Sequence, residues 1–112
     1  MPYIKTTANV AIPWEVQEKI KTQLGKDAAI IGKTESWLMV EFRENAPLYF
    51  KGTNEPAAIV SVDLFGSAGA GAYGNMTAVI TDMLAEQLGV PADRVFVKYS
   101  EYSHWGYNGR NF

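Results

Sequence analysis

The chain has 112 residues, 47% of them hydrophobic and 12% aromatic, with a formal net charge of −2. That is the length of one domain with a real core, and the scattered lysines and arginines leave no electrostatic footprint for nucleic acid. The lack of cysteine and the single histidine, His104, exclude disulfides, thiolate nucleophiles and a histidine metal cluster within one chain, so neither metal nor cofactor is expected.

Met1-Pro2 opens an apolar, strand-like run that reaches Val10. If Met1 is removed, Pro2 carries a free secondary amine. Burial or a nearby cation disfavours the charged form of such an amine, which makes it a usable base near neutral pH. The plainer reading is that Pro2 blunts the start of an edge strand, where a missing N–H is tolerated. Pro13 then suits the first helical position, and Val16, Ile20 and Leu24 recur at helical spacing, so an amphipathic helix follows and ends near Gly32. Trp37 to Phe42 reads as a mostly buried strand of the parallel-sheet kind.

Asn45-Ala46-Pro47 and Gly52 to Pro56 are turn clusters around a short strand, Leu48-Tyr49-Phe50. The second half repeats the pattern. Ala57 to Phe65 reads as a strand, a glycine-rich bend follows, and Met76, Val79, Ile80, Met83, Leu84 and Leu88 mark one helical face. Gly89 suits a C-cap, Pro91 stops the helix, and Arg94 to Tyr99 returns as a strand.

The expected fold class is therefore α/β of the α+β kind. One domain spans 1–112, with pseudo-repeats at about 2–51 and 56–112. Two βαβ units form a four-stranded mixed sheet with both helices on one face. The other face is left bare and apolar, which together with the hydrophobic share implies burial between subunits. No run is long enough to span a bilayer, so the expectation is a soluble cytoplasmic protein without membrane insertion, export without a signal peptide being the alternative.

Gly69-Ala70-Gly71-Ala72-Tyr73-Gly74 is formally G-x-G-x-x-G after a strand and before a helix. Too few βα units follow for a dinucleotide fold, and Asp93 is poorly placed for a ribose. The four glycines Gly66, Gly69, Gly71 and Gly74 read better as a sharp bend and a close backbone approach.

Several motifs in order resemble the macrophage migration inhibitory factor family of the tautomerase superfamily. They are Met1-Pro2, Gly32-Lys33, Leu48 to Gly52 before Glu55-Pro56, Phe65-Gly66, Leu84 to Leu88, Pro91 to Phe96, and Gly106 to Phe112. The resemblance implies a homotrimer with active sites at subunit interfaces and a keto–enol tautomerase of phenylpyruvate-like α-keto acids, with Pro2 as the general base. It also implies that Lys33 holds the substrate carboxylate or enolate and lowers the amine pKa, and that the Phe65 peptide N–H meets a substrate oxygen. Trp37, Phe96, Tyr107 and Phe112 would form an apolar pocket, with Lys98 at its mouth, although each aromatic read singly is more at home in a core. Where family members often carry tyrosine and asparagine, Phe96 and Lys98 stand here, so substrate preference is expected to differ. Ala57-Ala58-Ile59-Val60 replaces the cysteine pair of the animal cytokine, which removes thiol–disulfide activity through that motif. The alternative function is a cytokine-like protein that binds a receptor and carries a vestigial pocket.

Overall fold

A computed structural model describes residues 1–112. Strand β1 (Pro2–Ala8) leads to helix α1 (Trp14–Asp27) and to strand β2 (Met39–Arg43); β3 (Ala58–Phe65), helix α2 (Ala70–Leu88) and β4 (Val95–Tyr102) repeat that order. A short hairpin, β5 (Gly106–Tyr107) and β6 (Arg110–Asn111), closes the chain. The main sheet has the order β2-β1-β3-β4. Pairing is parallel within each repeat (β1 with β2, β3 with β4) and antiparallel between β1 and β3, the mixed sheet expected from two βαβ units.

Burial alternates strictly along the two central strands, as a half-covered sheet requires. Ile4, Ala8, Val60, Val62 and Leu64 face the helices and are fully or almost fully buried. Against them pack Ile20 and Leu24 of α1 and Met76, Ile80 and Leu84 of α2, all at 0% exposure, in one continuous core. Each such aliphatic side chain contributes about 1.5–3 kcal/mol relative to an exposed one. Glu15 in the first turn of α1 and Lys26 in its last suit the helix dipole.

Local differences from the sequence expectations have physical causes. Pro13 is the residue before α1, not its first helical position; its carbonyl already accepts from Val16 and Gln17 N–H at 2.9 Å. Trp37 lies in a 3-10 turn (Glu35–Trp37), so the second strand begins later, and it is an exposed edge strand rather than a buried one, with Met39 at 67% exposure. Leu48-Tyr49-Phe50 forms only a single bridge, Phe50 to Thr53. Gly71 and Gly74 lie inside α2, and a Cβ on either would touch nothing within 4 Å; only Gly66 (φ 89°) and Gly69 (φ 91°) make the bend.

The uncovered face is also not the bare apolar surface expected. Its cross-strand rows read Glu41-Lys5-Ser61-Lys98 and Met39-Tyr3-Asp63-Ser100, with Ile59 and Phe96 together at one end. A polar face of this kind tolerates water on that side.

Two side chains fasten the loop between the repeats. Asn9 donates from Nδ2 to the carbonyls of Glu55 (2.9 Å), Asn54 (3.1 Å) and Leu48 (3.3 Å), while its Oδ1 accepts from Ala57 N–H at 2.8 Å. Arg94, only 9% exposed, donates to the carbonyls of Pro56 (2.9 Å), Glu55 (3.0 Å), Phe50 (3.1 Å) and Thr53 (3.3 Å), with its guanidinium over the Phe50 ring. The loop's backbone acceptors thus find partners without a sheet ladder.

Candidate active site

Antiparallel pairing of the central strands sets Pro2 opposite Leu64, so the start of the chain and Phe65 meet at one end of the sheet. Pro2 is buried there. Phe65 N–H donates to the Met1 carbonyl at 3.2 Å. The Met1 amine has its pKa lowered, first by burial, which disfavours the ammonium form, and then by the charge of Lys33.

Lys33 reaches this corner because of how the preceding turn ends. Gly32 takes the left-handed conformation (φ 71°, ψ 26°), with Lys33 N–H bonded to the Ala28 carbonyl and Gly32 N–H to the Ala29 carbonyl. This is the paired bonding of a Schellman cap, which glycine permits without strain. Lys33 Nζ then donates to the Phe65 carbonyl at 2.8 Å. One peptide unit after another is therefore engaged around Phe65, with a cation on its C=O and the chain start on its N–H.

Aromatic side chains wall the corner. Trp37 meets Tyr107 edge-on at 4.8 Å and Phe112 at 5.9 Å, Phe112 stacks on Tyr107 at 6.1 Å, and Phe65 lies 5.9 Å from Phe112. Tyr107 and Phe112 are brought there by the terminal hairpin, whose turn residues Asn108 (φ 52°) and Gly109 (φ 85°) both have positive φ. That is the two-residue turn favoured by Asn-Gly. Beside these rings opens a cleft of about 680 Å³ onto which Pro2, Trp37 and Tyr107 face.

The remaining two expected pocket residues are elsewhere. Phe96 pairs with Ile59, and Pro2 with Leu64. Five residues of strand separate them, about 17 Å at the usual rise. Phe96 is 56% exposed, packs edge-on against Phe50 at 4.9 Å and lines a separate apolar pocket of about 170 Å³. Lys98 lies exposed on the open face opposite Ser61. A single chain does not bring Phe96 or Lys98 to Pro2.

Sequence reasoning missed cleft residues that the structure adds: Tyr3, Met39, Glu41 and Trp105. The Asn108-Gly109 pair was the available signal for Trp105, since a tight hairpin there folds the segment before it back on the sheet. Tyr3 and Glu41 carried no motif; only the β1–β2 register brings them together. A polar groove of about 580 Å³ also lies between α1 and α2, bordered by Glu18, Asp82 and Glu86, away from this chemistry. No group of side chains in the chain is arranged to hold a metal ion, and no helix is long and apolar enough to cross a membrane.

A family model described as "Macrophage migration inhibitory factor (MIF)" matches residues 1–112. The macrophage migration inhibitory factor of Mus musculus is 26% identical over 117 residues, spanning 100% of this chain and 99% of that protein. Among solved structures, MIF2 of Leishmania major superposes with a TM-score of 0.95 at 30% identity, covering 100% of this chain and 97% of that one. The macrophage migration inhibitory factor of Toxoplasma gondii gives 0.92 at 23% identity, covering 98% and 99%, a likeness of fold.

Proposed function

The chain belongs to the macrophage migration inhibitory factor family, and from that premise we propose that it is a cytoplasmic keto–enol tautomerase of phenylpyruvate-like α-keto acids. Pro2, freed by removal of Met1, is the base. The observation that carries this reading is the convergence of the chain start, the Phe65 peptide and Lys33 Nζ beside an aromatic-walled cleft.

In this reading the Met1 carbonyl marks the seat of the substrate oxygen. Once Met1 is gone, the Phe65 N–H that it occupied is free to donate to the substrate's carbonyl oxygen as negative charge develops on it. The Pro2 nitrogen takes a proton from the carbon next to the carbonyl, the oxygen becomes an enol by gaining one from water, and the Pro2 ammonium returns its proton to water; ketonisation runs the same steps backwards. Lys33 draws in the carboxylate and, with burial, holds the amine neutral at working pH. Trp37, Tyr107 and Phe112 bury the aryl ring and keep water from the amine. Phe96 and Lys98, remote from Pro2 within one chain, join the pocket from a neighbouring copy in a homotrimer. Lys98 then puts a positive charge at the mouth. The exposure of Phe96, Met39 and Tyr49 supports such an assembly.

The test combines intact mass, sedimentation and the ketonisation rate of enolised phenylpyruvate. The expected result is a mature chain lacking Met1 that sediments as a trimer and loses about 10²–10⁴-fold in rate on Pro2→Gly. A Pro2→Gly protein as fast as wild type overturns the assignment.

A further inference from the structure

Phe65 ends β3, and the bend from Gly66 to Gly69 joins it to α2. Both ends of that bend are pivots. Gly66 (φ 89°) and Gly69 (φ 91°) each have open space where a Cβ would stand, and glycine by itself holds no single conformation. Hydrogen bonds hold the bend instead. Gly66 N–H donates to the Tyr102 carbonyl at 2.9 Å, and Ala68 N–H donates to the Tyr73 hydroxyl at 3.1 Å, from a side chain in the first turns of α2.

Tyr73 is itself fastened from several directions. Its hydroxyl donates to Oε2 of Glu101 on β4, which leaves its lone pairs for the Ala68 N–H. Its ring lies against that of Tyr99 at 4.6 Å, and the Tyr99 hydroxyl donates to the Tyr73 carbonyl at 3.0 Å. Glu101 pairs with Leu64, the neighbour of Phe65 on β3. A tether thus runs from β4 through Tyr73 to the backbone just past Phe65, and a site group is only as well placed as the shell that supports it. The two polar groups of Phe65 need that support unequally. Its carbonyl accepts from Lys33 Nζ, whose flexible stem follows a shifted partner, whereas its N–H moves only with the backbone.

We propose that Tyr73, set by Glu101, is a positioning residue that holds the Phe65 peptide N–H where the substrate's carbonyl oxygen develops charge. The inference rests on the tautomerase reading for the use of that N–H. Tyr73 supplies the hold of one part-buried hydrogen bond and not the donor itself, so its removal costs about fivefold in kcat, far less than loss of a donor.

The test uses protein freed of Met1. Tyr73→Phe keeps the ring against Tyr99 and removes only the hydroxyl. With enolised phenylpyruvate, kcat is expected to fall about fivefold while KM stays within about twofold, because a bond that strengthens in the transition state is weakened and Lys33 keeps the carboxylate. Glu101→Leu should lower kcat about twofold, Glu101→Gln, which keeps an acceptor, should recover most of that, and Glu101→Leu added to Tyr73→Phe should cost nothing more. Phenylglyoxylate, a keto acid that cannot enolise, gives a readout without turnover. At saturation it should move the Phe65 amide proton signal downfield in wild type and about half as far in Tyr73→Phe. An unchanged kcat in Tyr73→Phe, even beside a lower unfolding midpoint, a Glu101→Leu loss that adds fully to that of Tyr73→Phe, or an equal Phe65 shift in both proteins each overturns the proposal. A wild type without turnover whose Phe65 shift still depends on Tyr73 overturns the tautomerase reading and leaves the positioning by Tyr73 standing.

Discussion

Replacing Arg94 with methionine tests the loop architecture most directly. The guanidinium donates to four backbone carbonyls, those of Phe50, Thr53, Glu55 and Pro56, at 2.9–3.3 Å. A hydrogen bond from a charged group is worth about 1.5–3 kcal/mol, which would give a sum well above what one side chain delivers. The four bonds share one head group and are not additive, and residues 51–56 are exposed, so water takes over part of the lost bonding. About 3 kcal/mol of destabilisation is the expected net loss for Arg94→Met. In urea unfolding at fixed protomer concentration, this lowers the midpoint by roughly 1–3 M at ordinary slopes. Arg94→Lys keeps the charge but not the planar fork, so it should recover less than half of the loss. An Arg94→Met unfolding free energy within about 0.5 kcal/mol of wild type refutes the idea that these bonds hold the loop.

Two further outcomes follow from individual side chains. The Met1 amine is lowered by burial first and by Lys33 second; on the proposed reading the Pro2 amine, freed at the same corner, meets the same two causes, and it must be neutral to work. Turnover should therefore rise with pH through that pKa and level off, and Lys33→Met should move the acid limb of kcat/KM to higher pH. It should still lie below that of an unburied amine, because the larger cause remains; an unmoved limb removes Lys33 from the electrostatics. Thr6 is 0% exposed and its hydroxyl has no partner, so Thr6→Val, equal in size and well suited to a strand, should stabilise by about 1 kcal/mol in thermal or urea unfolding.

The two βαβ units were legible because their signals are local: apolar spacing in α1 and α2, Gly32 and Gly89 at left-handed caps, and turn clusters between. What the sequence concealed is set by non-local register. The separation of Phe96 and Lys98 from Pro2 depends on which residue of β3 faces which residue of β4, and no spacing along the chain reveals that. The same holds for the meeting of Tyr3 and Glu41. The polar outer face was obscured for a different reason, since the apolar share of the whole chain includes the aromatics of the site and loop along with the residues of the core. The fastening roles of Asn9 and Arg94 carried no sequence signal because their partners are mostly backbone carbonyls, which leave no mark in a sequence.

Pairing of the first strand with the third has a kinetic consequence. The helices form from contacts close in sequence, whereas bringing Pro2 against Leu64 closes a loop of more than half the molecule, a slow event of high contact order. During refolding, helical circular dichroism should recover first, and the tautomerase activity proposed above should return only after the two central strands have paired.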